Sequence, residues 1–273
     1  MKKRQIMTNH FNKTTPNAHS RLVAFMALAI FTLICGLVVF FLPAIPQRLA
    51  YHQFADTRQI WGIPNFWNVV SNVPFAVIGL GGFWSLRVKF KSGEFTRWQE
   101  GLPFIILFVG IFLVSMGSAY YHWEPDNQRL VWDRMPMAAV FTTLVALVIM
   151  ERVNFRVGLA LLAPFILLGI GSVGYWGFTE SLGRGDLRLY GFIQFYSIAL
   201  LITLFYFFPK PRDTLMIYIA IIGFYGLAKL LEGADFAIYQ LGGVVSGHTL
   251  KHLAAAISSF YLVILLKKIN FKS

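Results

Sequence analysis

Residues 103–123 read PFIILFVGIFLVSMGSAYYHW, a run with no Asp, Glu, Lys or Arg. At a rise of about 1.5 Å per residue, such a helix reaches about 30 Å, the thickness of bilayer hydrocarbon. Seven further runs have comparable length and apolarity: 22–43, 66–87, 131–150, 155–176, 188–208, 214–232 and 247–266. All are continuous, not alternating, so they read as membrane helices and not as barrel strands. The chain is 57% hydrophobic and 13% charged, and a soluble domain carries about twice that charge fraction. The expected fold is an all-α integral membrane protein built as one bundle.

The charges say which way the chain runs. A net charge of +12 would also suit a nucleic-acid binder, but the basic residues occupy tails and short loops, where topology explains them. With the N-terminus in the cytoplasm, sixteen Lys and Arg fall in cytoplasmic segments. They are Lys2, Lys3, Arg4, Lys13 and Arg21; Arg87, Lys89, Lys91 and Arg97; Arg152 and Arg156; Lys210 and Arg212; and Lys267, Lys268 and Lys272. Five fall opposite: Arg48, Arg58, Arg129, Arg184 and Arg188. That bias places both termini in the cytoplasm and requires an even number of spans.

The organisation expected is a polar tail over 1–20, a first helix over 21–43, an outer loop over 44–64 able to cross the bundle mouth, and a short tail at 269–273. The first run follows Lys2, Lys3 and Arg4 but is too long for a signal-peptide core and lacks a small-x-small cleavage site. It therefore reads as a retained signal anchor. The lone Cys35 lies in an apolar run and reads as a packing residue.

Chemistry gathers around histidine. His10, His19 and His52 fall in tail or loop and read as solvated side chains. His122 ends the third span, and His248 and His252 open the eighth. His248 and His252, four residues apart, share one helix face, and Ser118 and His122 repeat that spacing. Asp133 begins the fourth span. By the topology above, Ser118, His122, Asp133, His248 and His252 sit at one depth on the outer side, where ionisable groups face the bundle interior. Three neutral imidazoles with an open fourth position make a catalytic Zn2+ site, at which water is activated near neutral pH. No glutamate lies between His248 and His252, so Asp133 is the candidate base and Ser118 a donor to the oxyanion. A Ser-His-Asp hydrolase would use the same residues but leaves His248 and His252 unexplained. A lipid sensor with structural zinc, and a metal transporter, are the readings from other classes. Small loops argue against the first, and the apolar inner halves of the spans argue against the second.

Around the cluster, Tyr120, Tyr121 and Trp123 read as interfacial anchors, and Lys251 reads as displaced from the histidine face and snorkelling to headgroups. Asn68, Ser71, Asn72, Lys229 and Glu232 are further polar groups on that side, there to orient a ligand or satisfy one another.

The strings Asn65-Phe-Trp-Asn-Val-Val-Ser-Asn72, Gly117-Ser-Ala-Tyr-Tyr-His122, Trp132-Asp-Arg-Met-Pro136 and Gly247-His-Thr-Leu-Lys-His252 resemble the alkaline ceramidase family. That family belongs to a superfamily of seven-helix membrane hydrolases and adiponectin- and progestin-type receptors. The likeness runs from about residue 56 to the C-terminus. It implies a seven-helix domain over 65–268, with the first helix an addition. It also implies a zinc ion on His122, His248 and His252, with Ser118 and Asp133 beside the water the metal activates. The implied reaction is amide cleavage in a ceramide-like or other N-acyl membrane lipid, giving a fatty acid and an amine. The family's calcium site is not matched, because Asn65 stands where the last acid belongs and Asp56 is the only carboxylate upstream in the loop. Loop economy and basic termini point to a bacterial inner membrane, with the zinc site on the periplasmic side.

Overall fold

The computed structural model describes residues 18–210 and 212–271. The polar tail expected over 1–20, His10 included, lies outside the described residues as far as residue 17. The described chain is helical: α1 (Ala18–Phe41), α2 (Phe66–Val70), α3 (Val73–Lys91), α4 (Leu102–Trp123), α5 (Asn127–Arg152), α6 (Phe155–Ser181), α7 (Arg188–Phe207), α8 (Arg212–Gly233), α9 (Asp235–Gln240) and α10 (Gly247–Lys268). Eight helical segments are long and apolar enough to cross a membrane. Each matches one of the eight apolar runs.

The second run departs from a simple span. It is broken into α2 and α3 at Ser71 and Asn72, where Pro74, lacking an N–H, starts the longer piece as a first-turn proline does. The break turns Ser71 into the bundle.

Helix ends elsewhere follow from capping side chains. Asp126 accepts the Arg129 N–H at 2.6 Å to start α5, Asn154 accepts that of Val157 at 3.1 Å to start α6, and Ser246 accepts that of Thr249 at 3.1 Å to start α10. Each satisfies a donor that the helix leaves orphaned.

Helix α5 is the axis of the bundle. Of its most apolar window 72% is buried, against 6% for α1. It packs on α4, α6 and α7, while α10 packs on α8 and α3. The first helix lies against α7, where the Arg188 guanidinium donates to the carbonyls of Phe40 and Leu42.

The α4–α5 contact is set by two residues of the sequence. Pro136 lies inside α5 and cannot donate to the carbonyl of Trp132, four residues back. That carbonyl meets Gly117 on α4, where a Cβ would stand only 2.2 Å from the oxygen. A glycine there lets the two backbones touch, and Ser118 is thereby brought up to Asp133. Gly247 does the same at the start of α10, where a Cβ would lie 2.3 Å from the carbonyl of Leu231.

Candidate metal centre and lipid cavity

His122, at the end of α4, meets His248 and His252, in the first turns of α10. One ring nitrogen from each lies within 4.8 Å of the other two, and all three rings are buried. Nε2 of His122 and Nε2 of His248 are 3.2 Å apart. Nδ1 of His122 and Nε2 of His252 are buried without a partner among the described residues. A buried imidazole nitrogen, whether N–H or lone pair, is costly without a partner, and the described neighbours offer none to these two. A metal ion bound by three imidazoles resolves the deficit, so the donor set fits such an ion.

The surrounding groups fix the rings. Nδ1 of His252 lies 2.7 Å from the Ser71 hydroxyl, which in turn lies 3.3 Å from the Asn68 carbonyl. An Nδ1–H donating to Ser71, with Ser71 donating onward, leaves Nε2 free as a ligand. Asp235, buried, accepts the backbone N–H of His248 at 2.7 Å and that of Ala55 at 2.9 Å. One carboxylate thus starts α10 and pins the loop 44–64. Phe54 of that loop covers the cluster, its ring centroid 4.8 Å from His122 and 4.6 Å from His248. Asn65, at φ 45°, donates to the His122 carbonyl at 2.9 Å; asparagine tolerates this left-handed conformation.

Ser118 and Asp133 are both buried and both line a cavity of about 210 Å³, together with His252. The Ser118 hydroxyl and the Asp133 carboxylate lie beside each other in that lining. Away from this polar end the walls are apolar, formed by Ile111, Val114, Leu144, Leu201, Ile222 and Leu262. The cavity is therefore amphipathic, with one end suited to a polar linkage and the remainder to hydrocarbon.

No family model matches the chain. Over 99 residues it is 28% identical to the protein named "Putative alkaline ceramidase dcd3A" of Dictyostelium discoideum. The aligned stretch is 34% of this chain and 34% of that relative. The likeness is to a third of each.

Several expectations change. Lys251 does not snorkel outward: its Nζ lies 2.7 Å from Oε1 of Glu232 and 3.0 Å from Nε2 of His248. Glu232 also accepts Lys229 at 2.5 Å and Tyr51 at 3.1 Å, so that these polar groups satisfy one another, as weighed. His52 is not a solvated loop residue; Nδ1 meets the Tyr121 hydroxyl at 2.9 Å and Nε2 meets Oδ1 of Asn127 at 2.8 Å. Tyr121 is consequently 1% exposed and is no interfacial anchor, whereas Tyr120 and Trp123 are about half exposed. Asp56 is held by the Arg58 guanidinium at 2.6 and 2.8 Å.

Sequence reasoning missed Phe54, Tyr51, Asp235 and Arg134. The first three arrive from loops or a short helix without periodicity. Arg134 carried a signal that went unused. Of the 24 Lys and Arg, three belong neither to the cytoplasmic nor to the outer segments: Arg134, Lys229 and Lys251. All three line the cavity. The Arg134 guanidinium stands over Tyr51, Trp176 and Tyr190, with Cζ 4.6–5.2 Å from the ring centroids. Each such contact is worth about 0.5–2 kcal/mol, enough to hold the group. Its Nη1 nevertheless lacks a partner among the described residues, at a cost of about 1–3 kcal/mol.

Proposed function

We propose that the chain is a zinc-dependent intramembrane amidohydrolase, cleaving the amide bond of a ceramide-like or other N-acyl lipid to a free fatty acid and an amine. The observation that carries this reading is the junction of three converging buried imidazoles with neighbouring Ser118 and Asp133 at the polar end of a largely apolar cavity. The partial likeness to a protein named as an alkaline ceramidase points the same way.

In this reading His122, His248 and His252 hold the zinc. A bound zinc supplies Lewis-acid polarisation and a nucleophile at neutral pH. The acyl chain lies along Ile111, Val114 and Leu144, which puts the amide carbonyl beside Ser118. Asp133 takes a proton from the attacking water as the C–O bond forms. The Ser118 hydroxyl donates to the developing oxyanion. Asp133 then passes its proton to the amine nitrogen as the C–N bond breaks, so water is divided between the acid and the amine. Phe54 and the loop 44–64 keep bulk water off the imidazoles. The seven helices within 65–268 form the catalytic unit under this reading, with 21–43 an added helix. Both termini then face the cytoplasm and the metal faces the periplasmic side of a bacterial inner membrane. Asp56, the one carboxylate upstream of Asn65 in the loop, is engaged by Arg58 and is not offered to a calcium ion.

Purified protein in detergent tests the proposal. About one zinc per chain and fatty-acid release from ceramide or N-acyl amino lipids are expected, with both lost in His248→Ala. Absence of metal overturns it. Zinc without release from any amide, but with lipid-dependent thermal stabilisation, replaces it with the sensor reading.

A further inference from the structure

Arg134 lies two turns into α5, about 10 Å beyond the helix start, and is 6% exposed. A cation at such a position is expensive without a partner. Arg152, buried at the other end of α5, directs its donors to the Phe208 carbonyl and the Thr214 hydroxyl and lies 3.8 Å from Glu151. Arg134 differs in forming no ion pair among the described residues; its Nη1, like the Nε of Arg152, has no acceptor there. The aromatic rings of Tyr51, Trp176 and Tyr190 hold the guanidinium in place without neutralising it.

The neighbouring charges are already committed. Lys229 and Lys251 both pair with Glu232, whose Oε1 also accepts Tyr51. Asp133, beside Ser118 in the cavity lining, is taken by the proposed chemistry. At this end of the cavity Arg134, Lys229 and Lys251 face Asp133 and Glu232, a surplus of one positive charge among the side chains, before the charge of a bound metal ion is added. That surplus sits on a fork of donors suited to a carboxylate.

We propose that the cavity selects a lipid amide whose amine portion bears a single carboxylate, received by Arg134, so that the substrate class is an N-acyl amino acid and not a neutral ceramide. The proposal rests on the amidohydrolase reading and narrows its substrate. Arg134 is a specificity-determining residue in it. The carboxylate is received by the Arg134 guanidinium while the amide lies toward Ser118 and His252, which line the same cavity.

The test compares wild-type protein in detergent on N-palmitoylglycine and N-palmitoylethanolamine, which differ in a carboxylate against a hydroxymethyl group. The expected result is a kcat/KM at least about tenfold higher for the acylglycine, carried mainly by KM. In Arg134→Gln the ratio of the two falls toward one, and Arg134→Lys keeps part of it. Equal wild-type values overturn the proposal, and this holds even where Arg134→Gln does not fold. N-palmitoyl phosphoethanolamine is the phosphate arm; preference for it over the acylglycine overturns the carboxylate assignment. Release from none of these amides, nor from ceramide, is failure of the amidohydrolase reading. In that case thermal stabilisation decides the subsite: a larger shift with the acylglycine than with the acylethanolamine supports it, and equal shifts overturn it.

Discussion

Ser71 and His252 meet across the break between α2 and α3, hydroxyl to Nδ1 at 2.7 Å, with the Asn68 carbonyl 3.3 Å beyond. The relay fixes which imidazole nitrogen faces the cluster, because a ring that donates from Nδ1 presents a lone pair at Nε2. A helix running straight through 66–87 would have no reason to aim Ser71 at α10.

Ser71→Ala should therefore weaken metal binding by about 10–100-fold, the usual scale for losing such a partner. Chelator competition on purified protein measures it, and Ser71→Thr should recover most of the loss. Unchanged affinity in Ser71→Ala would show that the ring is held by packing alone.

Asp133→Asn keeps the shape of the carboxylate and removes its basicity. Fatty-acid release should fall by about 10²–10⁴-fold while metal content stays at the wild-type level. Retained turnover would remove Asp133 as the base. Loss of metal together with turnover would recast it as a structural residue.

Gly117→Ala puts a methyl group 2.2 Å from the Trp132 carbonyl, against backbone that cannot yield as a flexible side chain can. A destabilisation of about 1–3 kcal/mol is expected, read as a lower Tm in detergent. Gly174→Ala, where nothing lies within 4 Å, is the control and should be neutral or slightly stabilising, since alanine favours helix. Equal effects at the two positions would refute the close-approach argument.

Asp235→Ala removes the acceptor shared by His248 and Ala55. Each charged hydrogen bond contributes about 1.5–3 kcal/mol, and their joint loss frees the loop 44–64 from α10. Limited proteolysis should then cut within that loop several-fold faster than in wild type. An unchanged cleavage rate would mean that the loop's other contacts, among them His52 with Tyr121 and Tyr51 with Glu232, suffice to hold it.

Particular residues show where sequence reading stops. His122, His248 and His252 were legible because imidazole is rare in apolar runs and the loop charges set their common depth. Lys251 was misjudged because helical spacing gives a residue's face but not its partner: Glu232 comes from α8, and only the packing of α8 on α10 brings the carboxylate within 2.7 Å. His52 and Tyr121 were misplaced for a similar reason, since a 69-residue separation leaves no local pattern. Arg134 went unread because a single cation two turns into a helix resembles a helix-end charge until its surroundings are known.

The sequence by itself determined that this chain is helical, that eight of its segments are long and apolar enough to span a membrane, and that three histidines stand at the ends of two of them. Those properties follow from transfer energetics and from periodicity, which act residue by residue and survive without neighbours. Tertiary structure decided which nitrogen of His252 faces the cluster, what Asp235 and Phe54 do, and that Arg134 lines the cavity without forming an ion pair among the described residues. Hydrogen bonds and ion pairs reach only about 3–4 Å, so their partners are settled by helix packing and loop closure, which no stretch of local sequence records.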